Sequence, residues 1–157
     1  MEFKKNLGKR FTYAEMLNYR EDNIPNLEQT INLTQLCCNV LDLIRDKFGM
    51  VTITSGFRNE VYNKKVGGAK NSQHTKGQAA DFIIKDVNLK DVYKWIIANL
   101  EYDQVIFEVS GNKKWIHISY NIENNRKDNL IFINGTYYKY DFDKIEHIDW
   151  QILNYVV

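Results

Sequence analysis

The stretch "SQHTKGQAADF", residues 72–82, decides how the rest of the chain is read. It sets a histidine and an aspartate seven positions apart, with Gly77 between them and two alanines directly before the acid. A glycine here marks a bend, because it enters backbone regions closed to other residues. Ala79, Ala80, Asp81, Phe82, Ile83 and Ile84 then read as a strand carrying one carboxylate. The partner that such a carboxylate suits is a cation.

Working outward, "VTITS" (51–55) is β-branched and reads as a strand ending at Ser55-Gly56. Residues 59–66 read as a short helix closed by Gly67-Gly68. Asn88 and Asp91 signal the start of another helix, with Val92, Trp95, Ile96 and Leu100 as its buried face. "QVIFE" (104–108) and "WIHISY" (115–120), separated by a loop centred on Gly111-Asn112, form a hairpin signal. With those two as the central turn residues, Glu108 faces Trp115 and Ile106 faces His117. All four then project to one side, since residues two apart share a face.

Upstream, Thr12 and Glu15 make a capping box for a helix through Tyr19, and Glu21 to Thr30, which holds the only proline, Pro25, reads as a loop. Asn32 with Gln35 opens a longer helix whose Leu33, Leu36, Cys37, Val40, Leu41, Ile44 and Phe48 share a face, with Gly49 at its stop. Downstream, Asn134-Gly135 between two β-rich runs signals a second hairpin, and "IDWQILNYVV" closes the chain as an apolar segment packing back onto the body. The expectation is one α+β domain, with helices packed on a small antiparallel sheet. Residues 1–124 form its main part, and 125–157 a hairpin extension packed on it.

The bulk properties fit a globular domain. The chain has 157 residues, 44% apolar and 26% charged, enough for one core. Its 21 Lys plus Arg against 20 Asp plus Glu give no overall field to hold nucleic acid or an anionic membrane surface. The lysines at the start precede no apolar run of signal-peptide length, and no stretch approaches the roughly 18 apolar residues of a membrane span. The expected site of synthesis and first folding is the cytoplasm, without membrane insertion. Cys37 and Cys38 are adjacent in a helical pattern, so they read as reduced core filler.

The chain has three histidines, His74, His117 and His147. If His74 and Asp81 held a metal, a third ligand would be needed, because catalytic zinc takes three protein ligands and keeps one position open. His117 suits that role if its strand lies beside that of Asp81. The spacing alone leaves a second reading open, since a histidine in a strand is commonly a hydrogen-bonded core residue. Likewise Arg58 could be a surface cation, Ser72 a cap for the bend, Glu108 a solvated strand end, and Trp115 and Tyr120 core aromatics.

"TSGFRNEVYNKKVGGAKNSQHTKGQAADF" (54–82), followed by "WIHISY", resembles the zinc-dependent D-alanyl-D-alanine carboxypeptidase family, which includes D-Ala-D-Ala dipeptidases and phage L-alanyl-D-glutamate endolysins. The similarity extends upstream through "FTYAEML", covering residues 11–120. The resemblance implies that His74, Asp81 and His117 hold one zinc ion, and that Arg58 binds and polarises the substrate's carbonyl or carboxylate. It also implies a peptidoglycan stem peptide as substrate, with Ser72 as a candidate contact; Tyr120 is a further candidate, from its place at the end of the His117 strand. Several relatives carry an acid three positions before the last histidine ligand, where this chain has Lys114. The general base therefore passes to Glu108, diagonal to His117 in the hairpin. A monomeric, phage-type endolysin reaching the wall on release from the cell is the expectation. The alternative, kept alive by Lys114, is a catalytically silent zinc-binding structural or adhesion module. His147 reads as structural.

Overall fold

In the computed structural model, which describes residues 5–140, three helical segments precede the first strand, and two further helices are interleaved with the first three strands of a six-stranded sheet. Thr12 and Glu15 cap each other reciprocally to start α1 (Tyr13–Met16). The helix stops short of Tyr19 because Asn18 and Tyr19 take positive φ, 53° and 56°. The long helix α2 (Leu27–Leu36) starts earlier than expected. Asn26, directly after Pro25, accepts from the Gln29 backbone N–H at 2.9 Å, and Gln29 returns the bond at 2.7 Å. Asn32 and Gln35 carry the same signature, but they fall inside a helix already begun, and each added residue of a started helix gains a bond without a new nucleus. Asn32 instead spends its amide on the Lys76 carbonyl, 2.9 Å away.

A π-type turn, Cys37–Leu41, leads into α3 (Asp42–Phe48), which ends at Gly49 with φ 87°. Leu33, Leu36, Cys37, Val40, Leu41 and Ile44 are buried, as their spacing predicts. Cys38 is exposed, so the core-filler reading holds for Cys37 and is corrected for its neighbour. Both are free thiols.

The remaining elements are β1 (Val51–Ser55), α4 (Glu60–Lys65), a 3-10 turn (Gln73–Lys76), β2 (Ala79–Ile84), α5 (Leu89–Asn99), β3 (Gln104–Ser110), β4 (Lys113–Ser119), β5 (Asp128–Ile133) and β6 (Thr136–Lys139). The strands lie in the order β1-β2-β4-β3-β5-β6. Four of the five pairings are antiparallel, but β5 runs parallel to β3, so the sheet is mixed. The chain returns from β4 across the end of the sheet before entering β5, and this brings β5 in with the direction of β3.

Period-two alternation divides the sheet into two faces. Ala80, Phe82, Ile84, Val105, Phe107, Val109, Ile116, Ile118 and Ile131 face the core with α3 and α5. Large apolar side chains such as Phe82 and Phe107, buried to 1% exposure or less, each contribute about 1.5–3 kcal/mol. The opposite face carries Asp81, Ile106, Glu108, Trp115 and His117, and there the site forms. His147 and the closing segment lie outside the described residues.

Candidate metal centre

Strand register brings the candidate ligands together. Asp81 on β2 pairs directly with His117 on β4, and Ile106 on β3 pairs with His117 from the other side. His117 Nδ1 lies 2.8 Å from Asp81 Oδ1. The third group comes from the 3-10 turn, with His74 Nε2 3.2 Å from the same oxygen. The two imidazole rings stand 5.2 Å apart between centroids. His74 is 4% exposed and His117 8%.

Several contacts fix the turn that carries His74. Ser72 caps it, its Oγ accepting from the His74 backbone N–H at 3.3 Å. Gly77 closes it with φ 72°, in the left-handed region. A Cβ at Gly77 would sit 2.4 Å from the Gln29 carbonyl oxygen, so α2 packs too closely there for any other residue. Gln29 and Asn32 of α2 donate to the Thr75 and Lys76 carbonyls, both at 2.9 Å. Gln73 donates to Asp103 Oδ2 at 2.6 Å, and Arg126 grips both oxygens of Asp103 at 2.7 Å. Asp103 is 2% exposed; burial alone would push its carboxyl up, but bonds from Arg126 and Gln73 hold it below the usual carboxylate range.

Arg58 follows β1 and the tight Ser55-Gly56 corner. Its Nε donates to Ser55 Oγ at 2.7 Å, and its Nη2 reaches Asp81 Oδ2 at 3.1 Å. Asn23, fully buried, braces this corner by donating to the Phe57 carbonyl at 2.6 Å and accepting from the Asn59 N–H at 2.7 Å. Asn23, Gln73 and Asp103 have no signature of their own in the sequence, because these partners lie 23 or more positions away.

The donor chemistry fits a metal ion. His74 Nδ1 donates to the Gly56 carbonyl at 2.8 Å, the outer-sphere bond that fixes the tautomer of a ligating histidine. Its Nε2 therefore offers a lone pair toward Asp81 Oδ1, an arrangement that a cation between them makes favourable. Burial opposes supplying that cation as a proton, since it pushes His74 down from its ordinary value. One ligand atom from each of the three residues lies within 4.8 Å of the others, and the 2.8 and 3.2 Å separations approach the edge of about 3.3 Å that zinc–nitrogen bonds of 2.0–2.1 Å require in a tetrahedron. Burial would raise Asp81, but the electrostatics of the His74 and His117 rings beside it hold its carboxyl well below the usual range, keeping it anionic.

These three residues line an open cleft of about 470 Å³ with Arg58, Ser72, Glu108, Trp115 and Tyr137. The β3–β4 register sets Glu108 opposite Trp115 and diagonal to His117. Burial raises the Glu108 carboxyl to about 7, with the negative charge of Asp81 adding to it. Lys114 lines a separate recess on the other face with Phe107 and Ile84, so it does not enter the cleft. Tyr120 packs against the core and is absent from the cleft lining.

A family model described as peptidase M15 matches residues 9–119, more than half of the chain. The chain belongs to the peptidase M15 family. No curated protein matches it. As an M15 peptidase it is a hydrolase of peptide bonds, and M15 peptidases are zinc-dependent. The matched span contains each candidate ligand together with Arg58, Ser72 and Glu108.

Proposed function

We propose that this M15 peptidase is a one-zinc enzyme that hydrolyses peptide bonds in peptidoglycan stem peptides. The observation that carries the reading is the shared cleft of a two-histidine, one-carboxylate cluster and a half-buried glutamate whose carboxyl is raised to about 7. Such a glutamate exchanges protons readily near neutral pH, as a general base must.

His74 through Nε2, His117 through Nδ1 and Asp81 through Oδ1 would hold the ion. Zinc supplies a Lewis acid that polarises the scissile carbonyl and makes water more acidic. Glu108 takes the proton from the attacking water and later gives it to the leaving amine. Arg58, held by Ser55 and Asp81, offers a fixed planar cation to a carbonyl or carboxylate of the substrate. Ser72 borders the same cleft and supplies a hydroxyl at its rim.

Lys114 was the reason to consider a silent module. Its position on the far face removes it from the base's place, and Glu108 supports the enzyme reading instead. The endolysin form, a monomer acting on the wall after release from the cell, is supported by the resemblance to a family that includes such enzymes.

The test is digestion of purified peptidoglycan by zinc-loaded protein, beside Glu108→Ala and His117→Ala, with mass spectrometry of the released fragments. New termini from the wild type alone are expected, and they name the bond. Fragments from none of the three, with zinc bound to the wild type, would turn the assignment to the silent module.

A further inference from the structure

The family match ends at residue 119, yet the wall of the cleft does not. Tyr137, on the terminal hairpin, lines the cleft together with His74, Asp81, Glu108 and Trp115. Strand pairing shows how it arrives there. Glu108 on β3 pairs with Phe132 on β5, and Phe132 pairs with Tyr137 on β6. Trp115 pairs with Glu108 from the other side. One row therefore crosses four strands in the order Trp115, Glu108, Phe132, Tyr137, all on the cleft face.

The rings of Phe132 and Tyr137 lie 4.7 Å apart between centroids, tilted by 52°, which seats Tyr137 at the edge of the site. Tyr137 is nevertheless 59% exposed, so most of its aromatic surface makes no contact within the fold. Burial raises its phenol, and the charges of Glu108 and Asp81 raise it further, so the ring lies within their field. An exposed aromatic side chain beside a raised glutamate offers rigid apolar area at low entropic cost.

We propose that Tyr137 is a substrate-contact residue, whose ring packs against the peptide chain of the substrate beside Glu108 and sets which stem peptides are accepted. This rests on the peptidase reading above. The hairpin lies outside the matched span, so it can alter selectivity while the ligand set stays fixed.

The experiment compares wild type, Tyr137→Ala, Tyr137→Phe and Tyr138→Ala on soluble muropeptides released from purified peptidoglycan, with kcat and KM measured and zinc content checked. Tyr138 is 51% exposed on the same strand, but it pairs with Ile131 and takes the opposite face. It therefore reports damage to the hairpin alone. The expected result is about a tenfold fall in kcat/KM for Tyr137→Ala, mainly in KM, at full zinc content. Tyr137→Phe keeps the ring and stays within about twofold of wild type, as does Tyr138→Ala. Equal kcat/KM for wild type and Tyr137→Ala overturns the inference and leaves the peptidase reading standing. An equal fall in Tyr138→Ala also overturns it, by showing a purely structural effect, and so does an equal fall in Tyr137→Phe, by removing the role of the ring. A wild type that cleaves no muropeptide overturns the peptidase reading and this inference with it.

Discussion

Replacing Glu108 by glutamine should stabilise the metal-free protein at alkaline pH and remove the activity of the zinc-loaded one. Burial and the charge of Asp81 raise the Glu108 carboxyl from 4.5 to about 7 in the folded chain. The folded state thus binds the proton more tightly than the unfolded chain, and stability falls as pH rises from about 4.5 through about 7. At about 1.4 kcal/mol for each tenfold change in proton affinity, the full penalty above pH 7 is about 3.4 kcal/mol. The cleft is open to water, and screening brings this to about 2 kcal/mol. Glutamine keeps the shape and carries no charge at any pH. Urea unfolding of chelator-treated wild type and Glu108→Gln at pH 4.5, 6 and 8 checks this. The two should coincide at pH 4.5, and the variant should be about 2 kcal/mol more stable at pH 8. Taking the difference cancels the titration of His74, Asp81 and other groups common to both proteins. Equal stability at pH 8 would refute the reasoning, because an unraised Glu108 cannot lie in the half-buried, anionic surroundings described.

Asp81→Asn should lower zinc affinity by more than the 10–100-fold typical of losing an outer-sphere partner, measured by chelator competition; wild-type affinity would mean that the ion is held elsewhere. Asp103→Asn should cost about 1.5–3 kcal/mol at pH 7 in urea unfolding, because it breaks the charge-assisted bonds from Arg126 and Gln73. Since Asp103 sits below the usual carboxylate range, its contribution is present above about pH 4 and lost as pH falls through the folded value, so the gap to wild type should close in acid. Gly77→Ala forces a Cβ to within 2.4 Å of the Gln29 carbonyl at φ 72°, and should lower the Tm by at least about 4 °C, from a cost of roughly 2 kcal/mol.

Local signals located much of this architecture. The cap at Asn88, the strand at 51–55, the bend at Gly77 and the Gly111-Asn112 turn all lie where nearest-neighbour chemistry puts them. Since a two-residue turn fixes a whole hairpin register, the placement of Glu108 opposite Trp115 and diagonal to His117 was also legible. The start of α2 was less so, because Asn26 and Asn32 carry the same capping signature and only the helix as a whole selects between them.

The sequence by itself determined the types of side chain available to the site, the bend before Asp81 and the face that each strand residue occupies, because these depend on residues a few positions apart. Tertiary structure alone decided the rest. The parallel entry of β5 beside β3 carries Tyr137 to the cleft, and packing across the sheet turns Tyr120 toward the core. The Gln73–Asp103–Arg126 bonds and the Asn23 brace join segments 23 or more positions apart. The raised carboxyl of Glu108 has the same origin: it comes from water excluded by several strands and from a charge on another of them, which no short stretch of sequence contains.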